Sequence, residues 1–363
     1  MTTKLILVGG FLGSGKTTLL WEAAQRLTEQ GRAVGLITND QAPDLVDTAF
    51  LSRSGAGVRE VAGSCFCCNF DGLLGAVRSL MDQKADVVIA EPVGSCTDLS
   101  ATIMQPLKDK HPEIDLAPLT VLADPDRVRE VLKKRSSLMH ASALYILRLQ
   151  MEEADRILLN KIDTLSPSER RSMIGLLRET FPKADLGEIS ARDGEGIDVW
   201  LAAVLRADRA GKRIVDVDYD RYAEGEAVLG WLNAVVSLES TSGKTEWAKY
   251  ARSLLDHLHG AFKQHNAEIG HVKLAIECAG EEFTANLTSL QGEVVVHCGE
   301  SPMGVHADLI LNARVQMPSE KLEGIVRTAF GASNKTGVSA AIRTFRCLTP
   351  GRPNPTHRYS YIV

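Results

Sequence analysis

The sequence predicts an α/β fold with a doubly wound, mostly parallel sheet, followed by a smaller C-terminal α+β domain. Two observations predict the sheet. Short apolar segments alternate with helical patterns as far as residue 205, and a glycine-rich turn separates the first apolar segment from the first helix. Strands that alternate with helices form parallel sheets covered by helices. Because ligands of such sheets bind at the carboxyl ends of the strands, we expect the functional residues there.

The first domain, predicted over residues 1–205, contains six apolar segments with the length and composition of buried strands. They cover residues 5–8, 33–38, 85–90, 119–123, 156–159 and 186–189. Predicted helices cover residues 19–27, 126–138, 141–153, 166–181 and 197–205. Ser166, Pro167 and Glu169 are typical of a helix start, with a capping serine, a proline in the first turn and a glutamate behind it.

The second domain is predicted over residues 226–347, after a charged and weakly periodic linker at 206–225. Its strands are expected at 227–238, 270–278, 282–288, 293–297, 307–316 and 338–345, and its helices at 244–266 and 319–330. This order indicates a split β-α-β arrangement with extra strands in the middle. Residues 348–363 form a proline-rich tail, which is expected to be extended.

The composition argues against several classes of function. The 363-residue chain has a formal net charge of −5, which disfavours nucleic-acid binding through bulk charge. No apolar run reaches the roughly eighteen residues of a membrane span, so no membrane partner is expected. Three of the seven cysteines fall within residues 65–68. Clustered thiols are typical of metal sites in a reducing compartment, and a cytoplasmic location is expected.

The turn after the first strand matches the phosphate-binding pattern G-x-x-x-x-G-K-[ST], with Gly10, Gly15, Lys16 and Thr17 at its fixed positions. In such a loop, backbone N–H groups and a helix N-terminus surround phosphate oxygens. We therefore expect Lys16 to contact the β- and γ-phosphates and stabilise charge during hydrolysis, and Thr17 to ligate Mg²⁺. The pattern predicts a P-loop NTPase fold with these nucleotide-binding residues in the loop: Gly13, Ser14, Gly15, Lys16, Thr17 and Thr18.

A second nucleotide motif, Asn160-Lys161-Ile162-Asp163, follows the predicted strand at 156–159 and resembles the N-K-x-D element of GTPases. A carboxylate such as that of Asp163 accepts two hydrogen bonds from guanine, and adenine offers no such pair. Ser190 and Ala191, after the next strand, resemble the element whose backbone contacts guanine O6. GTP and GDP are therefore the expected ligands. The alternative is an ATPase in which N-K-x-D occurs by coincidence.

Acidic residues follow two other predicted strands. Glu91 ends the strand at 85–90 and precedes Gly94, whose backbone N–H is expected near the γ-phosphate. Glu91 is expected to bind Mg²⁺ or to orient the attacking water. Asp40 and Asp47 lie after the strand at 33–38, where a nucleotide-sensing loop is expected. We predict Lys16, Glu91 and Asp47 as catalytic, and Asp40 as a ligand of Mg²⁺ or of a transition metal. The alternative is that both aspartates are solvated loop acids.

Between those segments, Cys65, Cys67 and Cys68 supply three thiols within four residues. Thiolates are ligands of Zn²⁺, Co²⁺ and Ni²⁺, and an incomplete set suits metal transfer better than a closed structural site. The fourth ligand must come from elsewhere in the chain or from a partner. The isolated cysteines, Cys96 and Cys347, are interpreted as small buried hydrophobic residues.

Together the glycine loop, the C-x-C-C motif, the E-x-x-G sequence at Glu91 and the N-K-x-D motif resemble the CobW-type family of GTPases over residues 4–205. The resemblance implies a metallochaperone or an activator of metal or cobalamin enzymes, with Cys65, Cys67 and Cys68 as metal ligands. The family often reads N-E-F-G where this chain has Asn39-Asp40-Gln41-Ala42. The acidic residue of that motif can help to bind metal in relatives. Because this chain has Asp40 in place of the glutamate, the resemblance does not determine which metal is bound.

The function expected from these features is a GTP-hydrolysing chaperone that delivers a divalent transition metal to a client metalloenzyme. The alternative is a GTP-gated protector or loader of a cobalamin-dependent enzyme, which acts by protein contact without metal transfer. The loops contain no arginine finger or glutamine, so slow turnover is expected, raised by a partner or by homodimer formation. The histidines and cysteines of the second domain are interpreted as satisfied or solvated side chains: His271, Cys278, His297, Cys298 and His306.

Overall fold

The structure is a computed structural model that describes residues 2–41, 43, 45–132, 139–297, 301–333 and 337–363. Its two main sheets divide the chain near residue 230: one is entirely parallel and the other entirely antiparallel. In the described ranges, no helix has both the length and the apolarity needed to cross a membrane.

The parallel sheet has the order β3-β2-β4-β1-β6-β7-β8, with the short β5 also paired to β1. Its strands are β1 (Thr3–Gly10), β2 (Val34–Asp40), β3 (Gly57–Ala62), β4 (Val87–Glu91), β5 (Ile114–Leu116), β6 (Thr120–Ala123), β7 (Arg156–Leu159) and β8 (Asp185–Glu188). Its central position makes β1 a fully buried strand, and the phosphate loop leaves from its carboxyl end.

Helices cover both faces of this sheet, and a separate apolar cluster fills each side. They are α1 (Lys16–Glu29), α2 (Val46–Ser52), α3 (Phe70–Asp82), α4 (Gln105–Lys110), α5 (Pro125–Leu132), α6 (Ala141–Glu153), α7 (Pro167–Thr180) and α8 (Ile197–Arg206). A π-helical segment, Ser100–Met104, runs directly into α4. The predicted doubly wound α/β fold is confirmed. Residues 133–138 of the predicted helix 126–138 lie outside the described residues.

Several elements of the first domain were missing from the sequence prediction. The strands β3 and β5 and the helices α2, α3 and α4 were not expected, so the strand that ends at Glu91 is the fourth and Arg156–Leu159 is the seventh. Strand β3 lies at the sheet edge and carries Arg59 and Glu60, while β5 has only three residues. A charged edge strand lacks the apolar run that identifies a buried one, which explains why it was missed.

The antiparallel sheet has the order β13-β12-β11-β15-β9-β16. The elements of this part are α9 (Tyr219–Ala227), β9 (Gly230–Ser240), β10 (Thr245–Glu246), α10 (Trp247–Gln264), β11 (Ile269–Cys278), β12 (Glu281–Leu287), β13 (Val295–His297), β14 (Met303–Gly304), β15 (His306–Val315), α11 (Ser319–Ser333) and β16 (Val338–Leu348). The predicted α+β domain with a split β-α-β order is confirmed.

The two faces of the antiparallel sheet differ in character. Helices α10 and α11 pack on one face, where Leu232, Leu274 and Leu311 belong to a single apolar cluster. Because side chains alternate between faces along a strand, the neighbouring positions point the other way. Asn233, Lys273 and Asn312 pair directly across three adjacent strands there. This second face carries polar groups and meets the first domain.

The two segments expected to lack regular structure both pack against the first domain. Helix α9 begins inside the predicted linker, with Asp218 as its cap, and contacts α6. The tail after β16 runs back across the first domain without forming a helix or strand. Its Arg358 pairs with the buried Asp98, and the backbone N–H of Val363 donates to Gln105.

Candidate functional site

The phosphate loop joins β1 to α1 and depends on a left-handed glycine. Gly15, at φ 94°, precedes the first residue of α1. A Cβ atom at this position would collide with the side-chain amide of Asn160, so a larger residue would push the two nucleotide motifs apart. The backbone N–H groups of the first turn of α1 have no helical partners and are available to an anion.

Lys16 lies inside the loop, where Nζ donates to the carbonyl oxygen of Gly10 at 2.9 Å. Nζ is also 3.7 Å from Oε1 of Glu91. Burial lowers the pKa of Lys16, and the nearby Glu91 carboxylate opposes that shift. The ammonium is therefore held at the base of the loop by contacts that a phosphate oxygen can replace.

The Thr17 hydroxyl, at the start of α1, lies between the carboxylates of Asp47 and Glu91. Its Oγ1 lies 3.0 Å from Oδ1 of Asp47 and 3.2 Å from Oε1 of Glu91. Burial raises the pKa of Glu91, and the Asp47 carboxylate adds to the shift. Burial also acts to raise the pKa of Asp47, but Lys273 outweighs it and the net shift is downward.

The same group of oxygen atoms fits a hard divalent cation. Oε2 of Glu91 is buried and has no hydrogen-bond partner among the described residues. A buried carboxylate oxygen without a partner is costly unless an ion or water completes its contacts. Hydroxyl and carboxylate oxygens are the ligands that Mg²⁺ prefers, so Thr17, Asp47 and Glu91 are the residues that would hold it.

The base-recognition motif is tied to the phosphate loop through Asn160. Its Nδ2 donates to the carbonyl oxygen of Ser14 at 2.7 Å, and its Oδ1 accepts from the backbone N–H of Ala191 at 2.9 Å. One amide therefore fixes the distance between the phosphate loop and the segment after β8. The hydroxyl of Ser190 donates to Oδ1 of Asp163 at 2.7 Å, which orients the carboxylate.

Two ion pairs hold charged side chains of the predicted base-recognition motif, and each includes one residue that sequence reasoning missed. Nζ of Lys161 lies 2.6 Å from Asp124, which follows β6, and Lys161 has a left-handed backbone at φ 58°. Arg192 pairs with Oδ2 of Asp163 at 2.9 Å. A charged residue directly after a buried strand was the available signal for Asp124.

A cavity of about 440 Å³ connects the two ends and falls within the size range of ligand pockets. Most of the sequence-predicted nucleotide residues line it: Gly13, Gly15, Lys16, Thr17, Thr18, Asp40, Asp47, Glu91, Gly94, Asn160, Lys161, Asp163 and Ala191. Ser14, Ser190 and the three clustered cysteines lie outside the lining. The second domain also lines the cavity, with His271, Lys273, Thr284, Asn286, Thr288 and His297 among its contributions.

The second domain contacts the chain from the last residue of β2 to the first turn of α2, here called the switch segment (residues 40–47). Asp40 forms an ion pair at 2.7 Å with Arg314, whose side chain is 1% exposed. The backbone N–H of Val46 donates to Oδ1 of Asn312 at 2.8 Å. At the end of the segment, Nζ of Lys273 lies 2.6 Å from Asp47. The polar face of the antiparallel sheet therefore contacts the switch segment at Asp40, Val46 and Asp47.

Sequence reasoning missed these contacts, although the alternation of polar residues along the strands of the second domain gave a signal. Arg314 and Asn312 alternate with apolar residues on β15, which indicates one polar face. What that face covers depends on docking between domains, and no local pattern encodes it.

Cys65, Cys67 and Cys68 form one cluster, whose sulfur atoms all lie within 4.8 Å of one another. The sulfur atoms of Cys67 and Cys68 are 3.8 Å apart, and those of Cys65 and Cys67 are 2.8 Å apart. Around a tetrahedral zinc ion with bonds of roughly 2.3 Å, neighbouring sulfur atoms lie roughly 3.8 Å apart. A small opening of the Cys65–Cys67 pair would give this spacing, so the trio fits a thiophilic metal.

Hydrogen bonding within the cluster favours one thiolate. The thiols of Cys67, Cys68 and Cys96 hold the pKa of Cys65 well below its usual value by hydrogen bonding to its sulfur. The hydrogen bond with Cys65 raises the pKa of Cys67, and it also raises that of Cys68 to about 11. Thiolate is the form that binds metal. Cys96, interpreted from sequence as a small buried hydrophobic residue, is buried in the apolar cluster, and its thiol also interacts with Cys65 and Cys67.

One side chain connects the cysteine cluster to the cavity. Asn39, at the end of β2, lines the cavity. Its Nδ2 donates to the carbonyl oxygen of Ser64 at 2.8 Å, and its Oδ1 accepts from the backbone N–H of Phe66 at 2.9 Å. Asn39 also directly precedes Asp40 of the switch segment. A displacement of Asp40 would therefore be transmitted to the loop around Cys65 through Asn39.

The tail covers the outer side of the cysteine cluster. The backbone N–H of Asn354 donates to the sulfur of Cys68 at 3.2 Å. The backbone N–H of Thr356 donates to the carbonyl oxygen of Cys67 at 2.8 Å. The imidazole of His357 packs edge-on against Phe70, at the start of α3. The tail thus contacts both the backbone and a sulfur of the predicted metal site.

The histidines and cysteines of the second domain are dispersed. His271 and His297 line the cavity, and His306 is exposed on β15. Cys278 is buried in the apolar cluster of its own domain. Within the described ranges, Cys65, Cys67 and Cys68 are the only group of three His, Cys, Asp or Glu side chains that converge closely enough to hold one metal ion. Cys298 lies outside those ranges.

Comparison with known proteins gives a family match and similar relatives. The family model of the CobW/HypB/UreG nucleotide-binding domain matches residues 4–186, half of the chain. The zinc chaperone YeiR of Escherichia coli (strain K12) is 31% identical over 279 residues, which are 69% of this chain and 80% of that protein. The zinc chaperone CobW of Pseudomonas aeruginosa is 27% identical over 188 residues, 44% of this chain and 48% of that protein.

Among solved structures, Zn(II)-bound YjiA GTPase from E. coli is similar over 92% of this chain and 99% of that one. The sequences are 16% identical and the TM-score is 0.36.

Proposed function

This chain belongs to the CobW/HypB/UreG family of nucleotide-binding proteins, and we propose that it is a GTP-hydrolysing metal chaperone. In this proposal it binds a transition metal through Cys65, Cys67 and Cys68 and delivers it to a client metalloenzyme. GTP orders the switch segment and the cysteine loop, and hydrolysis relaxes both, which releases the metal.

The observation that carries the proposal is the position of Asn39. It lines the nucleotide cavity and also hydrogen-bonds to Ser64 and Phe66 on either side of Cys65. A nucleotide that moves the end of β2 must alter these two hydrogen bonds. Coupling between two sites requires such a shared element, with different contacts in its two states.

In the proposed hydrolysis, several residues in and beside the cavity have assigned roles. Asp163 accepts hydrogen bonds from guanine, while Asn160 and Ser190 keep the recognition loop in place. Lys16 stabilises negative charge on the phosphates, and Glu91 either helps to hold Mg²⁺ or orients the attacking water. Mg²⁺, held by Thr17 and Asp47, would neutralise charge on the β- and γ-phosphate oxygens.

The comparison with relatives favours zinc as the metal, because two similar proteins are named zinc chaperones. The donor set of this chain agrees, since thiolates suit Zn²⁺, although the same set also accepts Co²⁺ and Ni²⁺. Cys96 is the candidate for a fourth sulfur ligand because its side chain interacts with Cys65 and Cys67. Otherwise the client supplies that ligand during transfer.

The metal proposal is tested by metal content after purification under reducing conditions. A triple Cys65→Ser, Cys67→Ser, Cys68→Ser variant is expected to lose stoichiometric zinc, while Cys347→Ser, outside the cluster, retains it. Equal zinc in the triple variant and the wild type would contradict the proposal. If the triple variant also kept its nucleotide response, the protein would instead be a GTP-gated protector or loader that acts by contact.

The nucleotide proposal is tested by Asp163→Asn. Loss of the carboxylate removes the paired acceptor for guanine, so GTP affinity is expected to fall on the order of 10²-fold or more and base preference to relax. Competition between GTP, ATP and xanthosine triphosphate measures this. An unchanged preference would indicate an ATPase with a coincidental motif.

A further inference from the structure

A lysine from the second domain reaches the phosphate end of the nucleotide cavity. Lys273 belongs to β11, yet its Nζ lies 3.3 Å from Oγ1 of Thr17 and 2.6 Å from Oδ1 of Asp47. Thr17 is the second residue of α1, directly after the phosphate-loop lysine. A cation from 256 positions away along the chain therefore stands beside the hydroxyl that the motif assigns to phosphate and metal binding.

The packing between domains gives this lysine little freedom to lie elsewhere. Gly270, at the start of β11, lies so close to the loop that a Cβ atom there would be 2.7 Å from Leu12. A Cβ atom at Gly13 would be 3.1 Å from the carbonyl oxygen of Gly270. The strand and the phosphate loop are thus in direct contact, and alternation along β11 directs Lys273 toward the loop.

Lys273 brings a positive charge into this group of carboxylates, since its Nζ lies 2.6 Å from Oδ1 of Asp47. Lys16 faces Glu91 from the other side of the group at 3.7 Å. Two ammonium groups therefore flank the place where the most negatively charged part of a nucleotide would bind.

We propose that Lys273 is a catalytic residue that the second domain supplies to the nucleotide site, where its ammonium contacts the terminal phosphate of GTP. This inference rests on the proposed GTPase function and adds a residue to it. GDP lacks the phosphate that this ammonium would contact. With GTP bound, its flexible four-carbon stem lets it reach the additional phosphate while the domain stays in contact with the switch segment.

In the hydrolysis step, a water oxygen forms a bond to the γ-phosphorus. The bond between that phosphorus and the bridging oxygen breaks, and GDP leaves with the electron pair. One proton of the water stays on the phosphate produced and the other passes to solvent. Negative charge grows on the bridging and γ-phosphate oxygens, and a fixed cation beside them lowers the barrier. Lys273 fills the role for which no arginine was found in the loops of the first domain.

The test compares Lys273→Met with Lys263→Met, an exposed lysine of α10 in the same domain. For each variant, affinities for GDP and for a non-hydrolysable GTP analogue are measured by calorimetry in the presence of Mg²⁺, and hydrolysis is measured in single turnovers. Lys273→Met is expected to bind the GTP analogue at least about tenfold more weakly while GDP affinity changes less than about twofold. Its hydrolysis rate is expected to fall on the order of 10²-fold.

Equal weakening of GDP and the GTP analogue would overturn the proposal, because it would indicate that Lys273 only neutralises Asp47. An unchanged hydrolysis rate would also overturn it. If Lys273→Met fails to fold, Lys273→Gln is judged by the same two criteria, and Lys273→Arg is expected to retain most of the preference for the GTP analogue. A wild-type protein that hydrolyses no GTP would contradict the proposed function itself, and the affinity comparison would still decide the role of Lys273.

Discussion

The pKa of one buried carboxyl group, that of Glu226, is shifted far enough to change how stability depends on pH. Glu226, on α9, is 1% exposed, and the hydroxyl of Ser95 donates to its Oε1. Its Oε2 has no hydrogen-bond partner in the described part of the chain. Burial raises the pKa of this carboxyl from 4.5 to about 8, so the folded protein holds a proton that the unfolded chain releases.

The expected consequence is a loss of stability with rising pH. The folded state binds more protons than the unfolded state between the two pKa values, so the free energy of unfolding falls as pH rises from 4.5 through about 8. Glu226→Gln keeps the acceptor for Ser95 and removes the titration. Urea unfolding at pH 6 and pH 9 is therefore expected to show a smaller fall in stability for Glu226→Gln than for the wild type.

An exposed position provides the control, since Glu29→Gln at the end of α1 is expected to behave as the wild type does. If Glu226→Gln and the wild type lost the same stability between the two pH values, the buried carboxyl would not be protonated in the folded protein.

At the scale of elements, the tail after β16 contributes a backbone hydrogen bond to the predicted metal site. The backbone N–H of Asn354 donates to the sulfur of Cys68. Asn354→Pro removes this donor and Asn354→Ala keeps it. Hydrogen bonds to charged acceptors contribute enough that zinc is expected to leave Asn354→Pro on the order of tenfold faster than it leaves Asn354→Ala. Transfer of zinc to a coloured chelator measures both rates, and equal rates would contradict a role for the tail.

The regular elements were largely predictable because their patterns are local. The helix Ala141–Glu153 and the strand Arg156–Leu159 have the predicted bounds, and α7 begins after the predicted cap Ser166. The edge strand β3 was not predicted because Arg59 and Glu60 interrupt its apolar pattern. The tail was predicted to be extended, but its contacts with the cysteine loop depend on residues nearly 300 positions earlier in the chain.

For the whole molecule, the contacts that hold the switch segment lie between the two domains. Sequence patterns contain a signal for the polar face that makes these contacts, but not for the residues that it contacts. Alternation along β9, β11 and β15 was an unused signal of a polar face in the second domain. It did not indicate that Arg314 meets Asp40 or that Lys273 meets Asp47. The motifs, by contrast, lie at strand ends of one parallel sheet, so the fold itself brings most of them together.

The Arg314–Asp40 ion pair provides a test of the interface. Arg314 is buried over the ring of Trp231, and its removal takes a charge partner from the buried carboxylate of Asp40. Arg314→Met is expected to lower the free energy of unfolding by about 3 kcal/mol. The double variant Arg314→Met, Asp40→Leu is expected to recover part of that loss, which a double-mutant cycle of urea unfolding measures. Strictly additive effects would contradict a coupled pair.

The central claim is that the nucleotide and the cysteine cluster sense each other through Asn39. The direct measurement is zinc affinity, determined with a competing chelator, in the presence of GDP and of a non-hydrolysable GTP analogue. The wild type is expected to show affinities that differ at least about fivefold between the two nucleotides, a typical coupling between sites. Asn39→Ala is expected to bind zinc and lose that difference. Equal zinc affinities of the wild type with both nucleotides would contradict the account.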